Sequence, residues 1–462
     1  MLKGNVTMGS RTASRVLDRR RSIAGAAFLT LLAGALPGHG AEPGYQVSVG
    51  VAETDNVART PTDTRSDTII TEGLDLTWHD MRPRLGADID ADLNYLQYLH
   101  HAFGSQVLGN FIGQARAVAV PDVFFWNVSD NFGQNRVDPL AAITPDNREN
   151  INYFSTGPQL VLPLGATTFL QMTANYGNVR YQVSPLDNQR EDAGIALLRK
   201  LSQSSFVSFN VRDEHVGYSD GVGNVNYNRQ DVFVRYDSQG SRTKIGIDLG
   251  YSKLHDHIGP VSNVLARVEV SRNISAFSSV SLSFGHEYLD SSDAFRLSQT
   301  LGGANNINIQ SAVQSGAPFT TNHAQVAWNF QRSRTGFGVS VEYYKDAYQQ
   351  PSTLDDNRLQ GEVHASRRLT PNLEVSLIES YYHQHFLDTP GTATETTSQA
   401  QVVWRAGRRL SVIVDFNRSN RHSDTAATNF TENRGWVRVA WGRPAQLPVK
   451  PVAPRLPGEA FR

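Results

Sequence analysis

From about residue 45 the chain repeats one pattern: ten or so residues alternating between apolar and polar, then a turn rich in Gly, Asn, Asp, Ser or Pro. Between Arg84 and Tyr95, Leu85, Ala87, Ile89, Ala91, Leu93 and Tyr95 alternate with Gly86, Asp88, Asp90, Asp92 and Asn94. A helix would scatter both sets around its circumference, whereas the two-residue period of a strand puts them on opposite faces. Val280, Leu282 and Phe284 against Ser279, Ser281 and Ser283 repeat it, as do Ile245, Ile247, Leu249 and Tyr251 against Lys244, Gly246, Asp248 and Gly250.

The same reading predicts about twenty strands. The first ten lie near 45–53, 67–78, 84–99, 105–119, 123–132, 151–162, 167–181, 190–200, 205–217 and 228–237. The others lie near 243–254, 262–271, 278–289, 321–332, 335–347, 357–368, 373–386, 397–406, 410–420 and 430–442. Segment 123–132 has no clear face, but dropping it would break an alternation of short links, such as 79–83 and 163–166, with long ones, such as 54–66, 133–150 and 290–320. Short turns at one end and longer loops at the other are the asymmetry of a transmembrane barrel, and an even strand count puts both termini on the short-turn, periplasmic side.

Past residue 40 no run approaches the 18 apolar residues that a membrane helix needs. The expected fold is therefore all-β: a single large antiparallel transmembrane β-barrel of 18–20 strands. Twelve-residue amphipathic strands are long for a soluble sandwich, and twenty in one sheet need closure to remove their edges. Aromatic residues near segment ends, including Trp78, Tyr95, Tyr98, Phe103, Tyr176, Tyr181, Tyr288, Tyr343, Tyr381, Tyr382, Trp404 and Trp441, suit the two membrane interfaces.

Residues 1–40 read as a secretory signal peptide, with basic Lys3, Arg11, Arg15 and Arg19 to Arg21, an apolar stretch from Ile23 to Leu36, and small residues around Gly38 to Ala41. That stretch is short for a retained span of about 20 residues. Residues 41–442 form the expected barrel of a bacterial outer membrane. Its partners are outer-membrane lipid and the barrel assembly machinery. The 43 Lys and Arg against 44 Asp and Glu give a net charge of -1, which carries no nucleic-acid footprint. The absence of cysteine removes disulfides, thiolate metal sites and a lipoprotein anchor.

The opening Ser48-Val49-Gly50-Val51-Ala52-Glu53-Thr54-Asp55-Asn56-Val57, followed by Ser66-Asp67-Thr68-Ile69, resembles outer-membrane barrels that accompany exosortase (PEP-CTERM) exopolysaccharide loci. Ser129 to Asn135, Asp146-Asn147-Arg148 and Tyr153-Phe154-Ser155-Thr156-Gly157-Pro158 are similar to a second region of that family. The resemblance implies location, fold and a link to extracellular polysaccharide or protein sorting. The chain departs from the usual aromatic ending: after Trp441 comes 443–462, with Pro444, Pro448, Pro451, Pro454 and Pro457, expected as a disordered periplasmic tail.

Chemistry is sparse. His255-Asp256-His257 and His383-Gln384-His385 each place two imidazoles two apart without specifying a third ligand. No nucleophile elbow, phosphate loop or zinc-protease motif occurs, so neither an enzyme nor a cofactor is expected. The residues expected to line a lumen are Asp88, Asp90, Asp92, Asn94, Gln171, Thr173, Asn175, Arg267, Glu269, Gln325, Glu342, Glu362, Asp415 and Arg438. Their mixed polarity suits passage of hydrophilic solutes. Three functions stay open: a pore linked to export or surface retention of exopolysaccharide, a general porin for small sugars and similar solutes, and a non-conducting structural barrel. The link 290–320, with Gly302, Gly303, Asn305, Asn306 and Asn308, is the one long enough to fold inward.

Overall fold

A computed structural model describes residues 44–219, 226–302, 315–349, 352–387 and 391–443. The expected signal peptide, the proline-rich tail beyond Arg443, and Gly303 to Asn308 lie outside the described residues. The sheet begins with β1 (Gly44–Thr54), β2 (Asp67–Met81), β3 (Leu85–Tyr98), β4 (Gln106–Val120), β5 (Phe124–Arg136), β6 (Arg148–Pro163) and β7 (Thr168–Tyr181). It continues with β8 (Asn188–Lys200), β9 (Ser205–Tyr218), β10 (Tyr227–Gln239), β11 (Thr243–His255), β12 (Pro260–Ser275), β13 (Ser278–Leu289) and β14 (Phe319–Arg332). It ends with β15 (Thr335–Tyr348), β16 (Asp356–Thr370), β17 (Leu373–Phe386), β18 (Thr392–Arg405), β19 (Leu410–Ser423) and β20 (Phe430–Arg443).

All pairings are antiparallel between sequence neighbours, and β1 pairs with β20 as well as β2, with Val51 opposite Val437 and Tyr45 opposite Arg443. The sheet is thus a closed barrel with no free edge. Twenty strands about 4.8 Å apart and tilted by roughly 40° give a backbone cylinder about 40 Å across.

The period-two pattern decides which way each residue faces. Val49, Leu249 and Leu377, each 57% exposed, stand with Phe209, Val326, Val439 and their alternates on an apolar outer surface, while the intervening residues turn inward. Exposure of that much Val, Leu and Phe around a whole cylinder is stable only against lipid. Asp130 breaks the outer band, but it is 3% exposed, sits opposite the bare Gly113, and accepts a 2.8 Å hydrogen bond from Asn152 Nδ2.

The faceless segment at 123–132 is β5. Phe125 turns inward, where the Arg116 guanidinium lies 3.7 Å over its ring, and Trp126 turns outward and donates to Thr156 Oγ1. β18 begins at Thr392, five residues before the alternation suggested, because Thr392 to Thr397 supplies strand-forming Thr without an apolar face.

The aromatic girdle needs a correction. Tyr95, Tyr176, Tyr343, Tyr381, Trp404 and Trp441 stand on the outer surface, but Tyr98 and Tyr181 have the opposite parity and are buried inside the long-loop end, and Tyr288, which keeps the parity of the outward Leu282 and Phe284, is buried with Val216, Tyr227 and Leu254. Phe103 and Tyr382 also belong to the interior, Phe103 against Tyr98 and Tyr382 beneath the Arg136 guanidinium. Position near a strand end does not distinguish the two sets; parity separates Tyr98 and Tyr181 from the girdle, and Tyr288 is set apart by its packing.

Among the described residues one α-helix interrupts the all-β pattern. The link after β13 opens with α1 (Ser291–Gly302), capped by Asp290, whose Oδ1 accepts from Asp293 N at 2.9 Å.

Candidate functional site

The fourteen residues proposed from sequence to line a lumen all occupy the inward parity of their strands. Several are tied to each other or to neighbouring strands. Asn94 Nδ2 donates to Asp92, Asn175 Nδ2 to Asp192, and Gln325 Nε2 to Glu342. Arg438 reaches Asp415 at 2.8 Å, and Arg267 bridges Glu287 at 2.5 Å and Asp248 at 3.3 Å. Glu269 and Glu362 face inward on β12 and β16, and Gln171 and Thr173 on β7. Alternation at Gly73, Asp75 and Thr77 also marks Asp75, which sits opposite Asp92 on the adjacent strand and extends the acidic row of Asp88, Asp90 and Asp92.

Sequence reasoning gave the link 290–320 as the one able to fold inward, but missed the helix with which it narrows the long-loop end. The helix α1 leaves β13 and packs on the inner wall some eight strands away. Its Phe295, 0% exposed, lies in a cluster with Ile151, Tyr153, Val179, Tyr181 and Leu186. Gln299 Nε2 reaches Asn110 on β4, and Gly133 on β5 accommodates the approach: a Cβ there would meet Gln299 Nε2 at 2.6 Å and Phe295 at 3.1 Å.

The start of α1 is held by charge. Arg190 on β8 pairs with Asp290, and with Asp293 at 3.1 Å. Arg229 on β10 pairs with Asp293 at 3.1 Å and with Glu214 at 2.5 Å. The hydroxyls of Tyr218 and Tyr227 donate to Asp290 Oδ2, and Tyr181 and Asn188 bond the Ser292 hydroxyl. Burial alone would raise the Asp293 carboxyl, but Arg190 and Arg229, with Arg296 and Arg212, hold it well below its ordinary value. Asp293 is therefore ionised at neutral pH.

A second element crosses the same mouth. The β5–β6 link at 137–147 is braced by Asn147, which accepts from Asp138 N and donates to the carbonyls of Asp138 and Ala142. Its Leu140 packs against the cluster of Leu289, Ala294, Phe319, Tyr348 and Phe386, and its carbonyl accepts from Arg421 on β19. A helix about 10 Å wide does not fill a cylinder this broad, so α1 and this link each narrow the mouth over part of its width.

The two His-x-His motifs do not gather ligands. His383 and His385 face outward and contact the hydroxyls of Thr394 and Thr392, and among the described residues no group of three His, Asp or Glu is placed to hold a metal ion.

An apolar outside, a polar inside, closure without an edge, and short turns opposite long loops belong together. The chain is an outer-membrane-type β-barrel. No family model matches it, and no curated protein does. Among solved structures it is similar to a point variant of the ferric enterobactin receptor of Pseudomonas aeruginosa, at 8% identity and TM-score 0.45, covering 88% of this chain and 81% of that one. It is also similar to the FrpB iron transporter of Neisseria meningitidis, at 10% identity and TM-score 0.43, covering 87% and 83%. A third is OccK2 of Pseudomonas aeruginosa in complex with glucuronate, at 9% identity and TM-score 0.38, covering 87% and 98%.

Proposed function

We propose that this protein is a non-enzymatic pore of the bacterial outer membrane for hydrophilic solutes, with its termini in the periplasm and its passage narrowed at the outer mouth by α1. The observation that carries this reading is the inner wall. Carboxylates, amides, hydroxyls and guanidinium groups line it from Asp88 near the short turns to Asn110 beside α1. Such a wall exchanges hydrogen bonds with a solute much as water does, so a sugar passes without falling into a deep well.

The resemblance of residues 48–57 and 129–158 adds exopolysaccharide as the solute class that the barrel exports or retains. A deletion strain scored for both surface polymer and uptake of small sugars separates the two readings. Loss of polymer with normal uptake supports export, and loss of uptake with normal polymer leaves a general porin. In the purified protein, liposome swelling in small neutral sugars tests the pore itself: swelling that slows as the sugar grows is expected, and none in a folded barrel would contradict it.

A further inference from the structure

Arginines and carboxylates balance around α1, but not across the mouth. Five guanidinium groups, those of Arg59, Arg136, Arg148, Arg421 and Arg434, converge there from the β1–β2 link and from β5, β6, β19 and β20. Glu395 meets Arg59 at 3.8 Å, Arg421 at 3.4 Å and Arg136 at 4.0 Å. Glu432 meets Arg59 at 2.8 Å and Arg434 at 2.5 Å. Arg148 is bonded to Gln106 Oε1 and lies beside Tyr98. Two carboxylates thus face five cations among the described residues.

The shortfall also shows atom by atom. Arg136 is 2% exposed and Arg421 3%, yet among the described residues the Nε of each has no hydrogen-bond partner, nor has Arg148 Nε or the neighbouring Asn135 Nδ2. Every one of these orphaned groups is a donor. Buried donors and uncompensated charge are costly, and an oxyanion supplies both acceptors and countercharge. The planar guanidinium fork matches a carboxylate or phosphate group in two parallel bonds. The less buried Arg59 and Arg434 lie toward solvent and give such a group its way in.

We propose that this cluster is an oxyanion site that takes the acidic group of a hydrophilic solute, a uronic-acid sugar being the class that fits the lumen. The inference deepens the pore reading and rests on it for the kind of solute, while the site is tested by equilibrium binding, without transport. The folded full-length protein is titrated calorimetrically with galacturonate, galactose and inorganic phosphate at low and high salt. Galacturonate is expected to bind, galactose to bind at least tenfold more weakly, and the galacturonate affinity to fall as salt rises. Displacement by phosphate would show a general oxyanion site; galacturonate binding that phosphate leaves untouched would show a site selective for carboxylates, and both agree with the proposal.

The Arg136→Gln, Arg421→Gln double variant should bind galacturonate at least tenfold more weakly. Arg136→Lys with Arg421→Lys keeps the charge but loses the fork, and should fall between the two; it also serves where the Gln pair does not fold. Galacturonate binding no tighter than galactose, or unchanged in either double variant with normal heat-modifiable migration, would overturn the inference. A barrel that binds galacturonate yet passes no sugar would keep this site and lose the pore.

Discussion

Truncating Phe295 to alanine tests whether α1 is a docked element of the mouth. The ring is fully buried among side chains of β6, β7 and the link that follows β7, six to seven strands around the barrel from the strand that α1 leaves. Removing a buried Phe costs about 3–5 kcal/mol, and the remaining apolar contacts of α1, made by Ala294 and Leu297 against Leu289, Phe319 and Tyr348, are present with or without the ring. At about 1.4 kcal/mol per factor of ten, the docked-to-free ratio should drop by roughly a hundred- to several-thousand-fold. The chain has no cysteine, so Ala294→Cys introduces a single thiol on the buried face of α1. Maleimide labelling of that thiol should be slow in the parent and much faster with Phe295→Ala, at unchanged heat-modifiable migration. A labelling rate within about twofold of the parent would refute the docking argument.

Two further outcomes follow from parity and charge. Leu282→Lys on the outer face should cost roughly 2–4 kcal/mol of membrane assembly, and Ser281→Lys on the inner face should be tolerated, as read by the yield of heat-modifiable barrel; equal tolerance would contradict the register. Because the Asp293 carboxyl is held below its ordinary value in the fold by Arg190 and Arg229, its contribution is fully present above the ordinary value and is lost as pH falls through the lower, folded one. Thiol labelling at residue 294 should therefore stay slow from neutral pH down to about 4 and accelerate only in stronger acid. Release of the helix between pH 7 and 5 would show that another group holds it.

How much of this was legible depends on the range of the forces involved. The strands, their faces and the fourteen inward residues follow from alternation, which is local: Asp88 and Ile89 are separated by one peptide bond and by the thickness of the wall. Tyr98 and Tyr95 look alike in sequence because girdle and mouth both place aromatics at strand ends. The helix was hidden because Ser291–Gly302 carries few apolar residues, though Asp290 ahead of Ser-Ser-Asp is a capping signal that could have suggested it. The pairing of Arg190 with Asp290, and of Arg59, Arg136 and Arg421 with Glu395, joins positions far apart in the chain, and only closure of the barrel brings them together.

The most direct test of the central claim, a polar pore narrowed by α1, is the single-channel conductance of the refolded barrel in a planar bilayer, with and without residues 291–302. Discrete conducting steps that grow when the helix is deleted, at unchanged heat-modifiable migration, are the predicted result. A folded deletion variant that passes no current, or steps of identical size with and without α1, would contradict it.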